Sequence, residues 1–465
     1  MTFIIVAIII LGYLLVATEK LTNINKAAVA IFIGTVGWVL YICYGSDFVL
    51  SQHPSEYASF LCGAEPSSGA VKQFIAQNVF LKYVGKAAEI VLFLLATMSI
   101  VEILQNNGCF DFIIQVLRTR NSKRLLWTLA FVTFIISINL DNLTTTVMML
   151  TMMRQLVSTR RQRLVYGSTI VIAANCGGML TVIGDPVGLV LWNTGVVTAT
   201  NYSMSLLLPC LVAGALPIWW LGRSLPERVS IEPVTLPYRG DDTNLNVWQR
   251  LLMLIVGIGG LWFIPTFHNI TKLSPFLGAL CVLSILWIVN EIVNRKLINN
   301  GEMIHHRVPR VLQYGVIQMM LFVMGIMLTS GIITEIGVGH DIGSFVEANI
   351  NNVWLIGAIT GAISTVLDNF MSAMTVITVG LSQKAIASTQ GIGLTPMLVQ
   401  NGLLWKVTAY AAAAGGNILF IGSMSGLALI KMERATMGWI VRNVSLKCFA
   451  GGVLGLIVMW ITLGI

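Results

Sequence analysis

Charged side chains are scarce in this chain. Only 10% of its 465 residues are Asp, Glu, Lys or Arg, whereas a soluble domain carries about 25%. Hydrophobic residues make up 56% of the chain, and the mean hydropathy is +0.82. This balance excludes an ordinary soluble domain and predicts a protein that crosses a membrane many times.

Cysteine and histidine are also few, with seven and five residues respectively. The cysteines are scattered and show no CxxC spacing, so we expect neither a disulfide framework nor a soft-metal site, and no cofactor. The histidines fall in predicted loops, where we expect them to be solvated. They are His53, His268, His305, His306 and His340.

Apolar runs take the place of the missing charge. Most of them are long enough to cross the ~30 Å hydrocarbon core as helices. They lie near 3–17, 27–44, 88–104, 203–222, 247–264, 273–289, 313–334 and 446–463. No small-residue cleavage site follows the first run, so we interpret it as a span and not as a signal peptide.

Basic residues are clustered in a few segments, at 118–124, 154–163, 295–310 and 431–447. Cytoplasmic loops concentrate Lys and Arg in this way. By contrast, 335–352 contains neither Lys nor Arg and should be extracytoplasmic. The basic excess therefore predicts membrane orientation and not nucleic-acid binding.

Two polar residues, Asp141 and Asn142, interrupt the apolar stretch SINLDNLTTTVMML at 137–150. A carboxylate at membrane depth costs roughly 2.5–3.5 kcal/mol and therefore marks a functional position. The apolar arms on either side are too short to span the membrane, and both flanks are basic. We predict a re-entrant hairpin that enters from the cytoplasmic side, with Asp141 and Asn142 at its tip.

The pattern returns as STVLDNFMSAMTV at 364–376, where Asp368 and Asn369 occupy the matching positions. The flanks of this copy are nearly free of basic residues, so the second hairpin should enter from outside. Each hairpin is followed by a glycine-interrupted segment, and the segments at 173–192 and 411–430 share GGxxxxIGxxxGL without a gap. Matched interruptions of this kind indicate the two broken helices of an inverted-repeat transporter.

We therefore predict an all-α polytopic membrane protein with about ten transmembrane helices, two re-entrant hairpins and two broken helices. The predicted parts, in chain order, are scaffold helices with an extracytoplasmic loop (1–86), a first repeat (87–222) with a hairpin (125–157) and a broken helix (164–198), cytoplasmic linkers with two connecting helices (223–312), and a second repeat (313–465) with a hairpin (353–388) and a broken helix (403–430).

Oxygen-bearing side chains of both repeats are predicted to converge on one cation and proton site. Two triplets share an i, i+4, i+8 spacing, which places their oxygens on one face wherever the hairpin arm is helical. With the first triplet Ser137, Asp141 and Thr145 and the second Ser364, Asp368 and Ser372, the predicted site also contains Asn142, Asn175, Asp185, Asn369, Asn417 and Ser423.

Such an oxygen-only site suits a hard cation such as Na⁺. We expect Asp141, Asp185 and Asp368 to be its carboxylate ligands. A poorly hydrated carboxylate also binds protons readily, so Na⁺ and H⁺ compete for the same groups. This competition is sufficient for antiport, provided that the carrier reorients with either ion but not empty.

The chain resembles the NhaD-type sodium/proton antiporters of the ion transporter superfamily over nearly its whole length. The matching stretches are KAAEIVLFLLATMSIVEIL (86–104), RLLWTLAFVTFIISINLDNLTTT (124–146), VIAANCGGMLTVIGD (171–185) and AAAAGGNILFIGSMSGLALIKMERATMGW (411–439). The resemblance implies a scaffold domain, a mobile transport domain and a homodimer. It also implies functional roles for Ser137, Asp141, Asn142, Asn175, Asp185, Asp368 and Asn369.

The sequence departs from the family pattern at two places. Pro186-Val187-Gly188 follows Asp185, where the family usually has hydroxyl residues. The segment QYGVIQMMLFVMG at 313–325 contains no acid, although the family tends to place one shortly before this helix. Both departures bear on ion choice and stoichiometry.

The favoured function is therefore a secondary transporter, not an enzyme, that exchanges Na⁺, with Li⁺ as a further candidate, for H⁺ across a bacterial cytoplasmic (inner) membrane. The alternative is a sodium- or proton-coupled carrier of carboxylates or arsenite on the same scaffold, although acids at both hairpin tips would repel an anion. An intramembrane aspartyl protease is disfavoured because Val182-Ile183-Gly184-Asp185 lacks the first glycine of GxGD.

A purely structural interpretation also stays open at this point. Asp141 and Asp368 would then cap the hairpin turns, and Asp185 would cap the second half of the first broken helix.

Overall fold

The computed structural model describes residues 2–22, 24–62, 65–229, 245–293, 310–350, 352–390 and 395–464. Within these residues the chain is helical, and its only β-type pairing is an isolated bridge between Asn121 and Arg228. Among the described residues, eight helices are long and apolar enough to cross a membrane, which confirms an all-α polytopic membrane protein. Most of the predicted linker at 223–246 and of the basic cluster at 295–310, with His305 and His306, lies outside the described residues.

Sixteen helical units carry the fold in the described parts of the chain, and four of them are the halves of two broken helices. They are α1 (Thr2–Ala17), α2 (Lys26–Cys43), α3 (Ser68–Asn106), α4 (Ser122–Asn139), α5 (Asn142–Leu156), α6 (Arg160–Gly178), α7 (Pro186–Asn193), α8 (Ala199–Gly222), α9 (Val247–Thr271), α10 (Pro275–Val293), α11 (Arg310–Glu335), α12 (Val353–Ser364), α13 (Asn369–Gln390), α14 (Leu403–Leu419), α15 (Met424–Glu433) and α16 (Met437–Leu463).

Shorter elements connect these helices. They are the helices Glu19–Thr22, Gly45–Gln52, Pro54–Leu61, Phe112–Leu117 and Val338–Asn349, and the π-helical segments Ile75–Phe80, Ile255–Gly259 and Val441–Ser445 within α3, α9 and α16.

Local chemistry explains where the helices end at the hairpin turns and at the breaks. At Leu140 the backbone turns to an extended conformation, and Asp141 then N-caps α5. Pro186 occupies the first turn of α7, where its missing N–H costs nothing. Phe420 takes a left-handed conformation after α14, with φ of 62°, and Ser423 caps α15.

The two broken helices run antiparallel. At one end, Glu433 at the end of α15 pairs with Arg154 and Arg163, at 2.7 and 3.0 Å, beside the base of the first hairpin. At the other end, the Asn401 N–H donates to the Val196 carbonyl over 2.8 Å and joins the end of α7 to the start of α14. The arrangement has the geometry of an inverted repeat.

Equivalent helices also make equivalent contacts. Helix α4 packs on α6 as α12 packs on α14, and α5 packs on α15 as α13 packs on α7. Outside the hairpins, α2 lies along α11 and α8 lies along α16. Small residues permit the close contact between α2 and α11, since a Cβ added to Gly34 would lie 3.0 Å from the Gly325 carbonyl oxygen. The assignment of these helices to scaffold and repeats stays a prediction.

Candidate functional site

One serine of each hairpin fixes its arm to a broken helix. Ser137 Oγ donates to the Ala174 carbonyl over 2.7 Å, and Ser364 Oγ donates to the Ala412 carbonyl over 2.6 Å. Positions 174 and 412 are equivalent when the glycine pairs are aligned. Both hydroxyls are therefore committed to positioning, and neither lines the central cavity described below.

The shared glycines lie where the hairpin backbone touches the broken helix. A Cβ on Gly177 would lie 2.5 Å from the Phe134 carbonyl oxygen, and one on Gly415 would overlap the equivalent oxygen of Gly361. Gly184 and Gly422 approach the carbonyls of Ser137 and Ser364 in the same way. The repeated GG and IG positions are thus explained by backbone contact, which only glycine permits.

A small cavity of about 10 Å³ lies between the hairpin tips, the breaks and α11. This is the volume that a single water-sized occupant needs. Its polar lining comes from both repeats and its apolar wall includes three residues of α11. The lining residues are Asn142, Asp185, Pro186, Met319, Phe322, Val323, Asp368, Asn369, Phe370 and Met424.

Asp141 is both a cap and a source of a free oxygen. Its Oδ2 accepts hydrogen bonds from the Thr144 N–H (2.9 Å) and hydroxyl (3.1 Å), so it stabilises the start of α5. Its Oδ1 is buried and has no hydrogen-bond partner among the described residues, and the same is true of Thr145 Oγ1. Because buried polar atoms are normally satisfied, capping does not fully account for this carboxylate.

The predicted common face of each hairpin is interrupted by its turn. Helices α4 and α12 end before or at the tip, so Ser137 and Ser364 belong to the first arms, whereas Thr145 and Ser372 belong to the second. The hydroxyl of Ser372 in α13 donates to the carbonyl of Asp368, the residue just before that helix, over 3.0 Å. The i, i+4, i+8 spacing therefore does not mark one continuous face, because the chain reverses at Asp141 and Asp368.

Asp185 and Ser423 occupy equivalent N-cap positions but behave differently. Ser423 Oγ accepts the Gly426 N–H over 3.0 Å and caps α15. The Asp185 side chain makes no capping hydrogen bond of that kind, although the Val187 N–H at the start of α7 interacts with its carboxylate. The carboxylate also lines the cavity and interacts electrostatically with Asp141 and Asp368. Asp185 therefore faces the cavity while it also interacts with the first turn of α7.

Asn175 and Asn417 join the two broken helices where they cross. Asn175 Nδ2 donates to Asn417 Oδ1 over 2.7 Å and to Ser423 Oγ over 3.1 Å. Asn175 Oδ1 is buried and has no partner within the described chain. Neither asparagine lines the cavity, so the predicted site divides into residues that face the cavity and residues that hold the breaks together.

Lys26 is the residue that the sequence analysis missed. It is buried at the start of α2, forms an ion pair with Asp368 Oδ2, and lies 4.9 Å from the centre of the Phe322 ring. Asp368 Oδ1 accepts the Phe370 N–H over 3.0 Å, so both of its oxygens are engaged. The only signal in the sequence is that Lys26 is the one charged residue between 21 and 46.

A second buried cluster surrounds Glu335 at the end of α11. Its carboxylate accepts hydrogen bonds from Tyr41 (3.2 Å) and Tyr83 (2.7 Å) and contacts His53 Nε2 at 2.7 Å. Hydrogen bonding to Glu335 raises the pKa of His53, although partial burial opposes the shift. The expectation of a solvated loop histidine is therefore wrong for His53, because its loop folds back onto α11.

Comparison with known proteins gives consistent matches. Residues 13–415 match the family described as citrate transporter. Sodium/proton antiporter 1 of Arabidopsis thaliana is 33% identical over 395 residues, a match that covers 84% of this chain but only 64% of that relative. Sodium/proton antiporter 2 of the same plant is 28% identical over 451 residues, with 96% of each protein covered. The Na⁺/H⁺ antiporter NhaD of Vibrio parahaemolyticus is 25% identical over 375 residues, covering 75% and 83%.

A solved structure shares the fold. The transporter YdaH of Alcanivorax borkumensis superposes with a TM-score of 0.56 at 13% sequence identity, covering 91% of this chain and 98% of that one. At this identity the likeness concerns the fold alone.

Proposed function

This chain belongs to the citrate transporter family, and from that premise we propose that it exchanges Na⁺ for H⁺ across a membrane. The resemblance to NhaD-type antiporters is confirmed by the relatives of that name, and a transporter family agrees with the expectation that the chain is not an enzyme. We further propose Li⁺ as a substrate and a homodimer as the assembly. Because relatives come from plants as well as bacteria, the bacterial inner membrane also stays a proposal.

The observation that carries the proposal is the charge around the small cavity. Asp185 and Asp368 line it, Asp141 is in electrostatic reach, and Lys26 is the one basic residue that pairs with any of the three in the described structure. Burying uncompensated carboxylates is costly. A bound cation or added protons would remove this cost, and carboxylate and amide oxygens suit Na⁺.

The helix ends near the cavity carry partial charges of both signs. The first half-helices, α6 and α14, end beside the crossing at Asn175 and Asn417. Helix C-termini carry partial negative charge, and broken helices in transporters use such ends to bind Na⁺ or H⁺. Asn142, Pro186, Asn369 and Met424 line the cavity and begin α5, α7, α13 and α15, and helix N-termini are partially positive, so the preference for a cation rests on the carboxylates. We assign the Na⁺ ligands to Asp185, Asp368 and the neighbouring amides Asn142 and Asn369, with Asp141 as a further carboxylate in reach.

Alternating access follows from the same charge. With Na⁺ or H⁺ bound, the buried acids are compensated and the transport elements can reorient. With the site empty, reorientation would carry unpaired negative charge through a medium of low dielectric constant. The carrier therefore reorients only when Na⁺ or H⁺ is bound. This requirement couples the transport of the two ions, although they do not contact each other.

The second candidate is an anion carrier, since the matching family is described as citrate transporter. An anion site needs neutral or positive donors, whereas acids lie at both hairpin tips, at Asp141 and Asp368. The Lys26 ammonium is already paired with Asp368. We therefore rank this function below cation exchange.

The test is Na⁺- and Li⁺-triggered recovery of a pH dye in everted vesicles that lack other antiporters. The wild type should give a saturable signal, which Asp141→Asn and Asp368→Asn should each reduce by about tenfold or more. The exposed substitution Asp341→Asn is the matched control and should leave the signal unchanged. Absence of a wild-type signal with either ion from about pH 6.5 to 9 would exclude antiport and direct the next assay to anion uptake.

A further inference from the structure

We propose that Lys26 is a built-in cation that competes with Na⁺ for Asp368 and separates the cation site from an access cavity. The proposal rests on the function proposed above and adds a residue to it. Lys26 lies on α2, outside both hairpins and both broken helices, so it would act on the site from a neighbouring helix.

Two cavities meet at Asp368. The first is the small one between the hairpin tips. The second has a volume of about 240 Å³ and is lined by Val16, Ala17, Thr18, Glu19, Lys26, Val366, Asp368, Ile421, Leu427 and Met437. Asp368 lines both cavities, whereas Lys26 lines only the larger one. The Lys26–Asp368 ion pair is therefore the partition between them.

The position and the charge of the larger cavity suit a route by which cations enter from the cytoplasmic side. Glu19, which is partly exposed, lies in its wall and 3.9 Å from Lys431. Lys431 belongs to the basic segment 431–447 that the charge pattern assigns to the cytoplasm. A cation that enters here passes an acidic side chain first and then meets the Lys26 ammonium.

Both carboxylate oxygens of Asp368 have a hydrogen-bond partner. Oδ1 accepts the Phe370 N–H, and Oδ2 contacts the Lys26 ammonium. An ammonium and Na⁺ carry the same single charge and seek the same oxygen ligands, so the two exclude each other at Oδ2. The Phe322 ring, in the wall of the small cavity, holds the ammonium by a cation–π contact. Na⁺ must therefore displace Lys26 to bind Asp368.

The proposal makes a specific kinetic prediction for Lys26→Met. Removal of the competing charge should lower the apparent KM for Na⁺ by about tenfold at pH ~9, where protons compete least. A purely structural role would lower yield or maximal rate without improving apparent affinity. The measurement is the Na⁺ dependence of dye recovery in the same everted vesicles, with KM and maximal rate fitted separately.

The chain offers a matched control in Lys406→Met. Lys406 is also a buried lysine, on α14, but it lines neither cavity. Its substitution should leave the KM for Na⁺ unchanged. The charge-preserving variant Lys26→Arg should raise the KM, because a guanidinium grips a carboxylate with two parallel hydrogen bonds.

Each result decides the proposal. A lowered KM in Lys26→Met, with no change in Lys406→Met, supports it, and an unchanged or raised KM overturns it. If Lys26→Met does not reach the membrane, the Lys26→Arg variant decides, and a KM equal to that of the wild type overturns the proposal. Failure of the proposed function is distinct, since the wild type itself would then show no Na⁺-dependent signal.

Discussion

In the first repeat, Ser137 holds the hairpin to the carbonyl of Ala174; in the second, Ser364 holds it to the carbonyl of Ala412. The glycines that let the backbones touch are equivalent as well. The two halves of the molecule thus share a frame built from hydroxyl and glycine contacts, and this frame is what the internal sequence repeat encodes.

The charges on that frame differ. The first repeat carries Asp141 and Asp185, and neither is paired with a basic residue within the described chain. The second repeat carries Asp368, which Lys26 compensates, and it has the neutral cap Ser423 where the first has Asp185. A symmetric fold therefore holds an asymmetric site, and the uncompensated charge of the first repeat is what would attract a cation.

The largest effect on transport should come from giving the first repeat the N-cap residue of the second. Asp185→Ser copies the residue at position 423, so α7 gains a hydroxyl that can cap it as Ser423 caps α15. The protein should fold, but loss of a charged ligand should lower Na⁺-dependent transport by about 10- to 100-fold. Transport is measured in everted vesicles, and folding by gel filtration in detergent. Wild-type transport in this variant would mean that Asp185 is not a ligand.

A smaller effect should appear when the shared frame is disturbed equally in both halves. Gly177→Ala and Gly415→Ala each force a methyl group against a backbone carbonyl of a hairpin. Each should destabilise the protein by about 1–3 kcal/mol, the usual range for overpacking. Both variants should therefore lower the temperature of the thermal transition in detergent, and to a similar extent.

The control for this pair is Gly438→Ala. Apart from its chain neighbours and its own helix backbone, no described atom lies within 4 Å of a Cβ built there, and alanine favours the helix. The thermal transition of this variant should stay the same or rise slightly. If all three alanine variants behaved alike, the contact between hairpin and broken helix would not be what the glycines preserve.

Much of this arrangement is visible in the sequence because it arises locally. A polar pair inside an apolar stretch indicates a hairpin turn, and the repeated GGxxxxIGxxxGL pattern indicates the segments that contain the breaks, so Asp141, Asp368 and the two segments could be located. The exact break could not, since α14 continues through Gly415 and Gly416 to Leu419. Contacts between residues that are far apart in the sequence could not be located, because tertiary packing brings these residues together. Lys26 is 342 residues from Asp368, and His53 is 282 residues from Glu335. The prediction that each triplet lies on one continuous face was wrong for a related reason, since residue spacing does not show where the chain reverses direction.

The smallest effect concerns a cluster outside both hairpins, and it separates pH effects on stability from pH effects on transport. The pKa of His53 is raised by Glu335, so protonated His53 stabilises the fold fully below its ordinary pKa of about 6.5, and this contribution is lost as pH rises through the raised value. The wild-type thermal transition should fall by a few degrees at most as pH rises through this window, and His53→Gln should remove the dependence. The pH profile of Na⁺ transport should be the same in both proteins, because the acids at the hairpin tips set it. A shifted transport profile in His53→Gln would show that the Glu335 cluster also controls the site.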